Sequence, residues 1–218
     1  MKKTIEITVP NDWSAVTLKQ YIRLQEDLKV YEDTPEAYEP TLMYHICGLT
    51  PDVLNSLSTE TLNSIRTDIS GFMGKSEEYP LQRIVKIGDV EYGFEPNLSD
   101  MAYGAYLDLS NHENIQLDET WSDIMSILYR PIISKKGSLY EIEKYKGVNP
   151  WDSEKWLDVG MDIHFGGFFF FYRLYEDLVN SILKSSEKEM EHHPNIKSIL
   201  AESGKVIHQL SNSRETIF

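Results

Sequence analysis

Cysteine is nearly absent from the chain, which has a single one, Cys47, among 218 residues. One cysteine excludes an intrachain disulfide, and this composition is typical of proteins made in a reducing compartment. Cys47 could be a nucleophile or an intermolecular link, or it could be a small buried hydrophobic residue. The apolar stretch that surrounds it, from Tyr44 to Leu49, favours the buried side chain.

Basic residues are scarce: 21 Lys and Arg residues stand against 35 Asp and Glu residues, which gives a formal net charge of −14. The excess negative charge repels phosphate groups, and no run of Lys or Arg residues counteracts it locally. The composition therefore argues against direct binding to nucleic acid and to anionic membranes. Association with a basic protein surface is compatible with it.

No long hydrophobic run is present either. The most apolar stretch, from Phe165 to Tyr172, is followed by Arg173 and is far shorter than the roughly 20 residues of a membrane span. Near the N-terminus, Ile5, Ile7 and Val9 alternate with polar residues, so the hydrophobic region of a signal peptide is missing. The alternation predicts a short N-terminal strand. The missing signal-peptide and membrane-span patterns predict a cytoplasmic location.

Local catalytic and cofactor motifs are also missing. The segment from Gly71 to Ser76 ends like a phosphate-binding loop, but such a loop needs a glycine at position 69, which is Ile69. It also follows a helical pattern, so we interpret it as a helix C-terminus. His192 and His193 have glutamates nearby but lack the spaced partners of a metal site, and a solvated charged segment is favoured. We therefore predict no catalytic, cofactor-binding or metal-binding residues.

Three residues near Trp156 allow an enzymatic alternative. Asp158, Asp162 and His164 could be acid–base groups of a hydrolase whose active site has no local signature. Such chemistry requires a pocket that shifts their pKa values. A loop that leads into a helix beginning near Gly166 is the favoured interpretation.

Helical periodicity dominates what the chain does contain, and it predicts a mainly α fold of the α+β class. Two β-branched and aromatic runs flank Gly88-Asp89 and predict one antiparallel β-hairpin over about residues 82–94. The strongest helical pattern, a wide aromatic stripe, extends over about residues 166–183 and is expected to organise the core.

The pattern of apolar residues changes near residue 77, where helical spacing is replaced by the β-branched and aromatic runs of the hairpin. This change predicts a helical N-terminal part, 1–77, and a part of hairpin plus larger helical region, 78–218. One continuous domain that contains the hairpin is the alternative.

Six segments in a fixed order carry a resemblance to a known family: Thr17 to Ile22, which follows Trp13, Tyr44 to Thr50, Tyr92 to Leu98, Tyr103 to Leu109, Ile127 to Ile132, and Tyr140 to Tyr145, which precedes an aromatic helix. In this order the chain resembles a family of small proteins encoded among the virion-morphogenesis genes of tailed bacteriophages, including the crAss-like group. The resemblance extends over about residues 12 to 185. It carries no catalytic residues with it.

The resemblance implies a non-enzymatic structural or tail-assembly protein that acts through protein–protein contacts. Its expected partners are other phage structural proteins or further copies of itself, and neither nucleic acid nor membrane. The expected location is the host cytoplasm, or the virion near the head–tail junction or tail; a virion component and a non-virion chaperone both stay open. The alternatives are the hydrolase described above and a phage protein that binds a host target.

Aromatic residues are the candidates for the contact surface, because interfaces favour Tyr and Trp. We predict that Tyr103 and Tyr106, in a tyrosine-rich segment, and Trp151 and Trp156, around a turn, contact partners. For any one of them, completion of the monomer's core is the simpler role.

Overall fold

A computed structural model of the chain describes residues 7–76, 79–112 and 115–174. The chain divides into two compact units, the first ending at Phe168 and the second beginning at Phe169. The boundary expected near residue 77 lies inside the first unit, beside residues outside the described part, and it stays a prediction. In the second unit, residues 169–174 are helical.

Four helices form the first part of the chain: α1 Leu18–Val30, α2 Pro35–Cys47, α3 Pro51–Ser56 and α4 Thr59–Met73. The capping box that precedes α1 is present, because Thr17 Oγ1 accepts from Gln20 N and Gln20 Oε1 accepts from Thr17 N at 2.9 Å. Gly48 ends α2 in the left-handed region, with φ of 67°. These boundaries follow from local signals that the sequence carries.

A four-stranded antiparallel sheet follows, with its strands in the order of the chain: β1 Ile84–Ile87, β2 Val90–Phe94, β3 Tyr129–Lys136 and β4 Leu139–Ile142. The predicted hairpin is present as β1 and β2, joined through Gly88, whose φ is 59°. A mainly helical α+β fold is thus confirmed, but its sheet has four strands where the sequence predicted one hairpin.

The sequence did not predict β3, because Pro131 lies near the start of this strand. Proline is normally excluded from central strands, since it has no N–H to donate. Here Pro131 lies opposite Tyr92 of β2, and on its other side it faces Glu143, beyond the end of β4. The missing N–H therefore interrupts no rung of the sheet.

The predicted N-terminal strand is not observed in the residues that the structure describes. Residues 7–10 have no regular structure, and residues 1–6 lie outside the described part. A strand requires a neighbouring strand to bond with, and no described element pairs with residues 7–10.

The remaining helices are α5 Tyr103–Ser110, α6 Trp121–Leu128, α7 Pro150–Leu157 and α8, which begins at residue 161 and is described to residue 174. The helix predicted over 166–183 thus starts five residues earlier, and residues 175–183 lie outside the described part. Gly166 marks a place inside α8 where the backbone of Pro80 comes close. The sequence predicted a helix boundary at Gly166, but this glycine lies inside the helix.

Two aromatic clusters lie in the core of the first unit. Trp13 contacts Tyr21, Phe72 and Phe165 edge to face, with ring centroids 5.1–6.0 Å apart. The other cluster centres on Trp156, which packs against Tyr129 and Tyr92 at 5.1 and 5.8 Å. The first cluster therefore joins α1, α4 and α8, and the second joins α7 to the sheet.

Two segments far apart in the chain pair directly before α1 and α8. Leu18 N donates to Val159 O at 3.1 Å, and Met161 N donates to Val16 O at 2.8 Å. Gly160 lies between them, where a Cβ atom would be 2.4 Å from Ser14 O. Only glycine permits this close approach of the two backbones.

One ion pair in the sheet region is almost completely buried. The Arg130 guanidinium of β3 donates to the Glu95 carboxylate, which directly follows β2, and the two side chains are 11% and 10% exposed. The guanidinium also lies over the ring of Tyr145, 5.9 Å from its centroid. A buried pair of this kind is strongly coupled, because neither charge can return to water alone.

Candidate functional site

Helix α5 presents an apolar face to solvent. Tyr103, Tyr106 and Leu107 are 74%, 55% and 42% exposed. They share one side of the helix because residues three and four apart lie one above the other. We call these three residues the α5 surface. Single exposed apolar residues are common on protein surfaces, but these three residues form one contiguous patch.

The opposite side of α5 is fixed to the protein. Ala105 is completely buried, and the Asp108 carboxylate accepts a hydrogen bond from the Tyr145 hydroxyl. Burial and this hydrogen bond raise the pKa of Tyr145 above its ordinary value, so the phenol keeps its proton. Gly104 lies against the same ring, with 3.6 Å between its position for a Cβ atom and the Tyr145 side chain. The α5 surface is therefore held on a backbone that is anchored from behind.

The two tryptophans of the predicted turn point in different directions. Trp151 is 81% exposed in the first turn of α7, where the Asn149 side chain accepts from its N–H at 2.9 Å. Trp156 is completely buried. Five residues of helix correspond to a rotation of about 140° beyond a full turn, which places the two side chains on nearly opposite sides. The predicted contact role of Trp156 is wrong, because it belongs to the core, whereas Trp151 is available at the surface.

The proposed acid–base residues do not form one site. His164 is completely buried, its Nδ1 accepts from Trp121 Nε1 at 3.1 Å, and its Nε2 donates to Trp156 O at 3.0 Å. Burial lowers the pKa of His164 to about 3, so the imidazole is neutral. With both nitrogens bonded to core groups, His164 ties α6, α7 and α8 together.

The two carboxylates lie elsewhere. Asp158 is the C-terminal cap of α7 and is exposed. Asp162, in the first turn of α8 and not in a loop as predicted, accepts from Gln82 Nε2 at 3.1 Å, and burial raises its pKa. Their hydrogen-bond partners are thus different from those of His164.

Acid should destabilise the protein through His164. The imidazole has a pKa of about 3 when folded and about 6.5 when unfolded, so only the unfolded state takes up the proton below pH 6.5. The contribution of the neutral His164 to the free energy of unfolding is fully present above about pH 6.5. It falls by about 2 kcal/mol between pH 6.5 and pH 5. Urea unfolding of the parent and of His164→Gln at pH 7 and pH 5 measures this, and their difference should shrink by that amount. A difference that stays constant with pH would contradict the assignment.

The other motifs have structural explanations. Cys47, the last residue of α2, is half-buried, and burial raises the pKa of its thiol to about 11, which disfavours the nucleophilic thiolate. Gly74 caps the end of α4, so the segment from Gly71 to Ser76 includes a helix C-terminus, as interpreted. Within the described ranges, no group of three His, Cys, Asp or Glu residues could hold a metal ion. His192 and His193 lie outside those ranges.

Of the helices in the described part of the chain, none is both long and apolar enough to cross a bilayer.

A groove of about 420 Å³ extends along β1. One wall is the strand itself, and the other consists of the turn between α7 and α8, with Asp158, Val159 and Gly160, and of Ile163 in the first turn of α8. The sequence indicated the strand but not the groove, because the second wall comes from residues more than 70 positions away. No local pattern could have identified it.

Comparison of the chain with family models, with curated proteins and with solved structures gave no match.

Proposed function

We propose that this chain is a virion-assembly protein of a tailed bacteriophage, which binds other structural proteins either as a virion component or as a non-virion chaperone. The α5 surface is the observation that carries the contact function. The phage context comes from the resemblance in segment order described above. The proposal assigns no catalytic residue and no cofactor.

The α5 surface has the properties of a contact site. Tyrosine supplies a large apolar area with few rotatable bonds, so ordering it against a partner costs little conformational entropy. Both Tyr103 and Tyr106 are more than half exposed, and Leu107 extends the same face one turn further along the helix. Anchoring through Ala105 and Asp108 means that little backbone ordering accompanies binding.

Trp151 provides a second contact point. A tryptophan that is 81% exposed leaves most of its apolar area in water, and its burial by a partner would return that area to an apolar environment. The net charge of −14 favours fast encounter with a basic partner and opposes association with acidic ones. Partners with a basic rim around an apolar centre are therefore expected.

Affinity capture from infected cells tests the proposal. Tagged parent protein should recover phage tail or head–tail proteins, and the variants Tyr103→Ser/Tyr106→Ser and Trp151→Ser should recover them about tenfold less or worse. Tyr38→Ser is the matched control, since Tyr38 on α2 is also about half exposed, and it should leave recovery unchanged. Mass spectrometry of captured material and of purified particles gives the readout.

Each outcome has a defined meaning. Fixed copy number in particles indicates a virion component, and recovery with tail proteins from soluble lysate alone indicates a chaperone. Recovery of the chain alone, or solely with host enzymes, would refute the assembly function.

A further inference from the structure

β1 is an edge strand of the sheet. It bonds to β2 on one side, and among the described residues no strand lies on its other side. In an antiparallel pair, successive residues direct their N–H and C=O groups alternately toward and away from the partner strand. Phe94 N donates to Arg83 O at 2.8 Å, so residues 83, 85 and 87 face β2. The main-chain groups of Ile84 and Lys86 therefore face outward.

These outward groups face the groove described above. Ile84 and Lys86 both line it, and Val159 of the turn and Ile163 of α8 provide an apolar wall opposite the strand. One end is bounded by Gln82, whose side chain reaches Asp162. The groove has the form that an extended peptide needs: an open strand edge for its main chain and apolar contacts for alternate side chains.

The charges near the groove favour a cationic side chain. Asp158 lines it, and Asp162 lies beside Gln82 at its end, with the Asp12 carboxylate close enough to act on Asp162 electrostatically. Among the described residues that line the groove, Asp158 is the one carboxylate and Lys86 is the one cation. Asp158 in the lining, together with Asp162 and Asp12 beyond the Gln82 end, outweighs the Lys86 ammonium group, which favours a positively charged ligand.

We propose that β1 is a docking edge for an extended segment of a partner protein, in which a Lys or Arg residue is flanked by alternating apolar residues. The segment adds as a fifth strand through Ile84 and Lys86 and places its cation beside the groove carboxylates. The proposal rests on the protein-contact function above, but it uses a surface separate from the α5 surface.

Proline at position 86 isolates the main-chain contribution. Lys86→Pro removes an N–H that faces away from β2, so the hairpin keeps all its hydrogen bonds while the docking edge loses a donor. Lys86→Ala is the matched control, because it removes the side chain and keeps the N–H. Asp158→Lys tests the charge in an exposed helix-terminal position, where a lysine is favourable to the helix dipole. Circular dichroism melting confirms that each variant is folded.

The probe is a library of short displayed peptides, selected on the full-length parent protein and then synthesised. We expect enrichment of peptides with Lys or Arg among alternating apolar residues. Their affinity should fall about tenfold or more on Lys86→Pro and on Asp158→Lys, and stay within about twofold on Lys86→Ala and on Tyr103→Ser/Tyr106→Ser. Absence of enrichment, equal binding to Lys86→Pro, or loss on the α5 variant would overturn the proposal. Selected peptides that match residues 2–9 of this chain would instead identify a second copy as the occupant.

Capture from infected cells separates this proposal from the contact function. Recovery of phage proteins that is insensitive to Lys86→Pro but sensitive to the α5 variant would refute the docking edge and leave the contact function standing. Failure of the parent to recover any phage protein would refute the contact function itself.

Discussion

Replacement of Arg130 by Met is expected to lower the free energy of unfolding by about 3–5 kcal/mol, because it leaves the Glu95 carboxylate buried without a counter-charge. That loss is a large part of the roughly 5–15 kcal/mol that stabilises a domain. The double variant Glu95→Leu/Arg130→Met should recover much of it, since apolar residues of similar size can replace a buried pair. Urea unfolding of the parent, both single variants and the double variant measures the coupling.

An exposed ion pair provides the control. Arg66 and Glu39 are bonded at 2.6 Å but are 46% and 38% exposed, so Arg66→Met should change stability little. Equal effects of Arg66→Met and Arg130→Met would show that burial does not determine the cost. Additivity of the two single variants in the Glu95–Arg130 cycle would show that the two groups do not interact.

Gly166→Ala is expected to destabilise the protein by about 3 kcal/mol or more. Its Cβ atom would lie 2.4 Å from Pro80 O and 3.0 Å from Pro80 C, and both are backbone atoms that cannot rotate away. A loss of this size lowers Tm by about 6–12 °C in a chain of this length.

The neighbouring glycine is the matched control for this substitution. At Gly167 the nearest atoms to an added Cβ are Met125 Sδ and a Trp121 ring carbon, both at 3.5 Å, an ordinary contact distance. Gly167→Ala should therefore leave Tm unchanged or raise it, because alanine favours a helix by up to about 1 kcal/mol. Thermal unfolding followed by circular dichroism distinguishes the two variants, and identical melting curves would contradict the close approach at Gly166.

Local elements could be predicted because their determinants are adjacent in the sequence. Thr17 and Gln20 satisfy each other's backbone N–H groups, so the start of α1 needs no tertiary information. Gly88 accepts a positive φ at the turn of the first hairpin for the same local reason. The helical body and this hairpin were accordingly visible in the sequence.

Features that depend on distant residues could not be predicted. Pro131 is acceptable in β3 only because of where β4 ends, which the order of residues does not reveal. Gly166 is required by the backbone of Pro80, and a glycine of this kind looks the same in sequence as one at a helix boundary. The exposure of Trp151 and the burial of Trp156 follow from which side of α7 faces the sheet. The groove beside β1 is likewise assembled only by tertiary packing.

The pairing of residues 16–18 with residues 159–161 has a consequence during synthesis. Val16 and Leu18 are completely buried in the folded protein, and the backbone that pairs with them is translated more than 140 residues later. Until that backbone leaves the ribosome, α1 exists without its neighbours from α8, and its apolar side is open to solvent and to chaperones. Closure of so long a loop makes this step slow relative to the local helices and the first hairpin. The nascent chain therefore cannot bury Val16 and Leu18 as in the folded protein until residues 159–161 have been synthesised.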